Sequence, residues 1–209
     1  MRANFVWQLP TITNPNAGWV QAVAYVINDW SLSGIWQGST GAAYNANFTY
    51  LAGGGNVNLT GSPDCGARVK VIGDPGGGCA SDPLRQFNTG AFQGPATGSV
   101  GLESSNGYLR DCFLSQLDLA IARTIKLGKS RTLQLRADVF NAWNQATITG
   151  RQASMQLSSP ADPNTIQNLP YDANGNLRPA LAVPRGAGFG VANAYQGPRT
   201  VQGQIRFSF

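Results

Sequence analysis

The chain has 209 residues, of which 12% are charged, and its formal net charge is +5. This length allows one domain with a sizeable core, whereas so few charged residues are unusual for a soluble globular surface. The basic residues are scattered singly instead of clustering on one face, so we expect no nucleic-acid partner.

The composition also limits the chemistry that the chain can support. It contains no His, which removes the commonest general base, the commonest metal ligand and every Ser-His-Asp arrangement. We therefore expect no enzyme activity, no catalytic residues, no metal site and no cofactor. No stretch approaches ~18 apolar residues, which excludes a transmembrane helix, and the N-terminus lacks the hydrophobic region of a signal peptide.

Two alternating segments near the N-terminus predict two strands, joined by a connector at residues 10–28. Inside the connector, Val20, Val23, Ala24 and Ile27 have helical spacing, which predicts a short amphipathic helix. The apolar positions of the two strands are Ala3, Phe5, Trp7 and Leu9, then Trp30, Leu32, Gly34 and Trp36.

The segment "YNANFTY" at residues 44–50 continues the alternation after the second strand. Its aromatic side chains at every second or fourth position are typical of an interfacial girdle near the ends of membrane strands. Aromatic packing in a core is the alternative.

Cysteine placement suggests a disulfide. Cys65 and Cys79 lie in one Gly/Pro-rich loop, and in an oxidising compartment they could pair with each other. Free thiols are the alternative, and zinc is disfavoured because the loop offers too few ligands.

The clearest periodicity lies in residues 115–143. Two long runs with one aliphatic and one polar face, separated by the short segment "GKSR" at 128–131, predict an antiparallel hairpin. Each arm is about twice the usual strand length of ~5–6 residues and is long enough to cross a bilayer, which takes ~9–11. The final segment alternates in the same way, from Val201 to Phe209.

Several motifs resemble functional sites without the required context. "LGKS" at 127–130 ends like a phosphate-binding loop, but Arg123 occupies the position of the first glycine and no helix follows. A tight turn explains this segment better. The charged residues of the polar strand faces could form an acid/base pair, but cross-strand ion pairing is the simpler interpretation.

Several phrases, in this order, resemble TonB-dependent outer-membrane receptors, and specifically the subgroup with a carboxypeptidase-regulatory-like N-terminal domain. They are "WSLSGIWQGSTGAAYN", "FNTGAFQGPATGSVG", "LRADVFNAWN" and "GPRTVQGQIRFSF", and the segment 118–144 is similar to the penultimate hairpin of these receptors. The resemblance covers most of the chain. It implies an all-β fold: an antiparallel up-and-down meander of about five long strands, an open part of a transmembrane β-barrel.

The resemblance also implies a topology for the whole chain, 1–209, as the C-terminal part of the barrel. Residues 54–111 and 152–197 are expected as long extracellular loops, and 10–28 and 128–131 as periplasmic connections. Phe207 and Phe209 resemble the C-terminal assembly signal, and Arg123 is expected to reach the headgroups near the periplasmic interface. The residues expected to face the lumen are Asp118, Lys126, Gln134, Arg136, Asp138, Gln204 and Arg206.

The parent receptor is expected in the outer membrane of a Gram-negative cell, where it would import a scarce ligand. Its expected partners are outer-membrane lipid, the missing N-terminal barrel and plug, and the outer-membrane assembly machinery. TonB would act only through the missing plug. The alternative is a soluble or surface-displayed β-sandwich that binds a ligand such as carbohydrate through its Trp and Tyr residues.

Overall fold

The structure is a computed structural model that describes residues 1–12, 18–52, 58–128 and 130–209. It divides into two compact units. The sheet unit comprises Met1–Ser39, Leu114–Ala146 and Gly197–Phe209, and the loop unit comprises Thr40–Phe113 and Thr147–Gln196.

The sheet unit contains one sheet of five strands in chain order, each antiparallel to its neighbours. This order confirms the predicted up-and-down meander. The longest strand has 13 residues, well above the usual ~5–6. The strands are β1 (Arg2–Gln8), β2 (Trp30–Ser39), β3 (Leu114–Lys126), β4 (Thr132–Phe140) and β5 (Thr200–Ser208).

The connections between these strands alternate between the two ends of the sheet. Residues 40–113 and 141–199 leave from one end, and residues 9–29 and 127–131 leave from the other. At the short connection, the backbone N–H of Leu127 donates to the carbonyl of Arg131 at 2.9 Å. This bond closes the turn predicted at 128–131, of which Lys129 lies outside the described residues.

The predicted amphipathic helix forms as α1 (Gly18–Ile27). Its only buried residue is Ala24, and most of its larger apolar side chains are exposed. Among the described residues, no helix is long and apolar enough to span a membrane.

The long connections fold into a unit of their own, although the sequence indicated only loops over 54–111 and 152–197. A parallel pairing of residues 47–50 with 154–157 joins the two connections. The short strands are Ala43–Tyr44, Asn47–Tyr50, Lys70–Val71, Phe92–Gln93, Leu109–Arg110, Ile148–Arg151, Ser154–Leu157 and Ala192–Tyr195, and the 3₁₀ turns are Thr89–Ala91, Pro179–Leu181 and Pro184–Gly186.

Aromatic residues form the core of the loop unit. The rings of Phe87, Phe92 and Phe189 contact one another edge to face, with centroids 5.1–5.8 Å apart, a favourable arrangement for aromatic pairs. Tyr50 is buried in the same core. The segment 44–50 therefore packs in a core, and its interpretation as part of an interfacial girdle is wrong.

The disulfide prediction was wrong in its pairing. Cys79 is bonded to Cys112, with Cα atoms 5.2 Å apart, and Cys65 is a free, exposed thiol. The backbone N–H of Arg110 donates to the carbonyl of Gly77 at 3.0 Å. This contact brings two distant chain segments side by side, which proximity in sequence could not indicate.

Replacing either bonded cysteine should destabilise the loop unit, because the disulfide closes a loop between residues 33 positions apart. We expect Cys79→Ser to lower the free energy of local unfolding of the loop unit by about 3 kcal/mol. Hydrogen–deuterium exchange of peptides from residues 67–93 measures this change. Cys65→Ser is the matched control and should change this free energy by less than about 0.5 kcal/mol. An equal loss in both variants would contradict the observed pairing.

Candidate functional site

The strand register places all seven predicted lumen residues on one face of the sheet, here called the polar face. Residues directly opposite each other in an antiparallel pair lie on the same face. Gln134 stands opposite Arg206 on β5, and Arg136 stands opposite Gln204. The set comprises Asp118, Lys126, Gln134, Arg136, Asp138, Gln204 and Arg206.

The ion pair of the polar face lies within one strand and not between strands as expected. Arg136 Nη2 is 2.7 Å from Asp138 Oδ1, and Arg136 Nε donates to both carboxylate oxygens at 3.0 Å. The residues opposite this pair are alanines on β3 and glutamines on β5. Because neither neighbour presents a charge at these positions, the pair forms along β4.

Asp118 supports the end of the neighbouring strand. Its Oδ1 accepts hydrogen bonds from Gln116 Nε2 and from the backbone N–H of Asn141, both at 2.9 Å. The chain leaves β4 at Asn141, so this carboxylate fixes the start of a long connection. Asp118 is thus a structural residue of the polar face.

Asn141 organises this strand end and was not singled out from the sequence. It is buried and has a left-handed backbone with a φ of 51°, a conformation that asparagine tolerates better than most residues. Its Nδ2 donates to the carbonyls of Gln145 and Gly197 at 3.0 and 2.8 Å, and its Oδ1 accepts from the N–H of Gln145 at 3.1 Å. Asn144 Oδ1 accepts from the N–H of Arg199 at 3.0 Å.

The opposite face of the sheet is apolar across all five strands. Phe5 lies over Gly34, where an added Cβ would come within 2.4 Å of its ring. Among the described residues of the sheet unit, no second sheet covers this face. The face comprises Ala3, Phe5, Trp7, Trp30, Leu32, Gly34, Trp36, Leu117, Leu119, Ile121, Ile125, Leu133, Leu135, Ala137, Val139, Val201, Ile205 and Phe207.

Arg123 is the charged residue that interrupts this apolar face in β3, opposite Trp30 on β2. Its Nη2 donates to the carbonyl of Tyr25 in α1. The guanidinium carbon lies 5.4 Å from the Tyr25 ring centroid and 5.7 Å from that of Trp30, within the range of cation–π interaction. The side chain therefore contacts the helix at the edge of the apolar face.

The loop unit contains a partly buried charge cluster around the buried Arg151. Arg151 forms an ion pair with Asp111, and its guanidinium carbon lies 4.8 Å from the centroid of the Tyr44 ring. Tyr44 donates its hydroxyl to the carbonyl of Gly78 at 2.6 Å. Burial raises the pKa of Tyr44 to about 12, against the opposing effect of the positive charge of Arg151. Tyr44 is therefore a neutral donor at physiological pH.

A polar pocket of about 250 Å³ also lies within the loop unit. Arg68 Nη1 donates to the carbonyl of Ser104 at 3.0 Å, and Asn45 Nδ2 donates to Asn106 Oδ1 at 3.3 Å. These contacts hold the walls of the pocket together. Its lining includes Asn45, Asn47, Phe48, Arg68, Ser104 and Asn106.

The family to which the sequence matches is consistent with a sheet that has one apolar and one polar face. The family model described as outer membrane beta barrel domain matches residues 1–202, and the chain belongs to this family. It is an outer-membrane protein whose five-stranded antiparallel sheet is an open part of a β-barrel. No curated protein and no solved structure matches the chain significantly.

Asn141 offers a test of how the strand end is held. Asn141→Ala removes three side-chain hydrogen bonds and places alanine in the left-handed region. We expect a loss of about 3 kcal/mol in unfolding free energy, measured by urea denaturation in detergent through the tryptophan fluorescence of the sheet unit. Asn174→Ala, at an exposed position, is the control and should have little effect. Equal stability of the two variants would refute this role of Asn141.

Proposed function

We propose that the chain forms part of the barrel wall of a TonB-dependent receptor that imports a scarce ligand across the outer membrane. The observation that carries this proposal is the segregation of side chains on the sheet. The apolar face would contact lipid and the polar face would line the lumen, as in membrane barrels. The resemblance of the ordered phrases to these receptors supports the finer assignment.

The alternating size of the connections supports an orientation in the membrane. Outer-membrane barrels have short periplasmic turns and longer extracellular loops. We assign residues 40–113 and 141–199 to the extracellular end and residues 9–29 and 127–131 to the periplasmic end. Phe207 and Phe209 would then lie at the periplasmic rim, where they would serve the assembly machinery as a recognition signal.

The loop unit would take part in ligand capture. Its two connections fold around a shared core, and its pocket is lined by amide, hydroxyl and guanidinium groups. Such a lining suits a polar ligand, because each of these groups can form directed hydrogen bonds. The disulfide between Cys79 and Cys112 would keep this unit folded in the oxidising exterior.

The two outer strands of the sheet support the presence of further barrel strands. β1 and β5 are exposed along their whole lengths, and unpaired strand edges are not tolerated in hydrocarbon. We propose that other strands of the receptor pair with both edges, and that TonB acts through a plug inside the completed barrel. In this role the chain carries out no catalytic step.

Dependence of uptake on TonB tests the proposal directly. Cells that lack the gene for this protein and cells that lack TonB would be grown on limiting amounts of single nutrients, with uptake of each measured. We expect one nutrient whose uptake is lost in both strains, and restored in the first strain by the intact gene. A nutrient that requires this protein but still enters without TonB would contradict the proposal, as would the absence of any shared loss.

A further inference from the structure

We propose that helix α1 lies in the headgroup layer of the membrane, beside the apolar face of the sheet, and that Arg123 and Trp30 hold it there. The exposed surface of the helix contacts the phospholipid leaflet at the end of the sheet where residues 9–29 connect β1 to β2. This inference rests on the proposed contact of the apolar face with lipid.

The composition of the helix favours a lipid environment. Its ten residues, "GWVQAVAYVI", include no charged side chain, and Trp19 and Val26 are 73% and 60% exposed. A helix that is apolar on nearly all sides is normally buried in protein or lipid. Trp and Tyr are enriched at membrane–water interfaces, where their rings sit at the level of the headgroups.

Two contacts tie the C-terminal end of the helix to the apolar face. Arg123 donates to the carbonyl of Tyr25, and Trp30 Nε1 donates to the carbonyl of Val26 at 2.7 Å. Both donors belong to the apolar face by their register. They satisfy two carbonyls of the last helical turn, which have no partner within the helix, and the positive charge of Arg123 is favourable at this end of the helix dipole.

The backbone after the helix directs the chain from α1 into β2. Asp29 has a left-handed φ of 66°, and the side chain of Asn28 bonds to both the N–H and the carbonyl of Ile12, at 2.9 and 3.2 Å. These two bonds join Asn28, just after α1, to Ile12, which follows β1. Together with the bond from Trp30 to the carbonyl of Val26, they keep the end of the helix beside the start of β2.

Charge at this end of the sheet fits phospholipid headgroups. Arg123 and Arg131 lie there together with Asp29, so these three side chains carry a net positive charge. Anionic headgroups attract basic residues that lie close to a membrane surface. Long basic side chains such as Arg123 can keep their apolar stem in the hydrocarbon while the charge reaches the headgroups.

Depth-dependent quenching of a site-specific label tests this placement. The full-length protein in a Cys65→Ser background would carry Val26→Cys, labelled with a bimane fluorophore and reconstituted in phosphatidylethanolamine–phosphatidylglycerol vesicles. The vesicles would contain nitroxide lipids labelled either near the headgroup or near the chain end. Val100→Cys, at a valine of the loop unit that is 68% exposed, is the matched aqueous control. Ile205→Cys, on the apolar face and 77% exposed, is the control for the sheet.

We expect the label at Val26 to be quenched more by the shallow nitroxide than by the deep one, and to be protected from aqueous iodide. The label at Ile205 should be quenched by the deep nitroxide, and the label at Val100 by iodide alone. If the label at Val26 is quenched by iodide alone, like that at Val100, while nitroxide lipids quench the label at Ile205, the helix does not lie in the headgroup layer. The contact between the apolar face and lipid is then retained. If Ile205 also behaves like Val100, the lipid contact of the apolar face fails and the inference fails with it.

Arg123 supplies a second variant for the same measurement. Arg123→Gln removes the cation that contacts Tyr25 and Trp30, whereas Arg123→Lys retains the charge. We expect iodide access to the label at Val26 to increase in the glutamine variant and to remain low in the lysine variant. Equal, low iodide access in both variants would show that Arg123 does not hold the helix.

Discussion

In hydrocarbon, a backbone N–H or C=O without a partner costs several kcal/mol, so a chain can cross a bilayer only as a helix or as a closed set of paired strands. The sheet of this protein is organised by that constraint. Its five antiparallel strands pair in chain order, and each pairing keeps apolar side chains on one face and polar side chains on the other. A slip of one residue in any pairing would reverse the faces of that strand.

The features outside the strands follow from the same constraint. The chain must reverse direction outside the hydrocarbon, and the two kinds of connection solve this differently. One end of the sheet uses a tight turn and a short helix whose last carbonyls accept from Arg123 and Trp30. The other end uses long connections, which fold around their own aromatic core. The second of them, residues 141–199, begins at a strand end fixed by Asp118 and Asn141.

The strands, their faces and the short helix could be predicted because side-chain periodicity is a local signal. The register then follows from keeping like faces together, which is why all seven residues assigned to the polar face lie on it. The Cys79–Cys112 bond could not be predicted, since it depends on a backbone contact between Gly77 and Arg110 that no local pattern encodes. The core of the loop unit and the partly buried Arg151–Asp111 pair are likewise products of contacts between distant segments.

The central claim is that the two faces of the sheet meet two different solvents. A cysteine scan of β3 from Leu117 to Lys126, in a Cys65→Ser background, tests it most directly in intact cells treated with a membrane-impermeant thiol reagent. The account predicts a period of two, with even-numbered positions labelled from the aqueous lumen and odd-numbered positions protected by lipid. Labelling without this alternation, or stronger labelling of the odd-numbered positions, would contradict it.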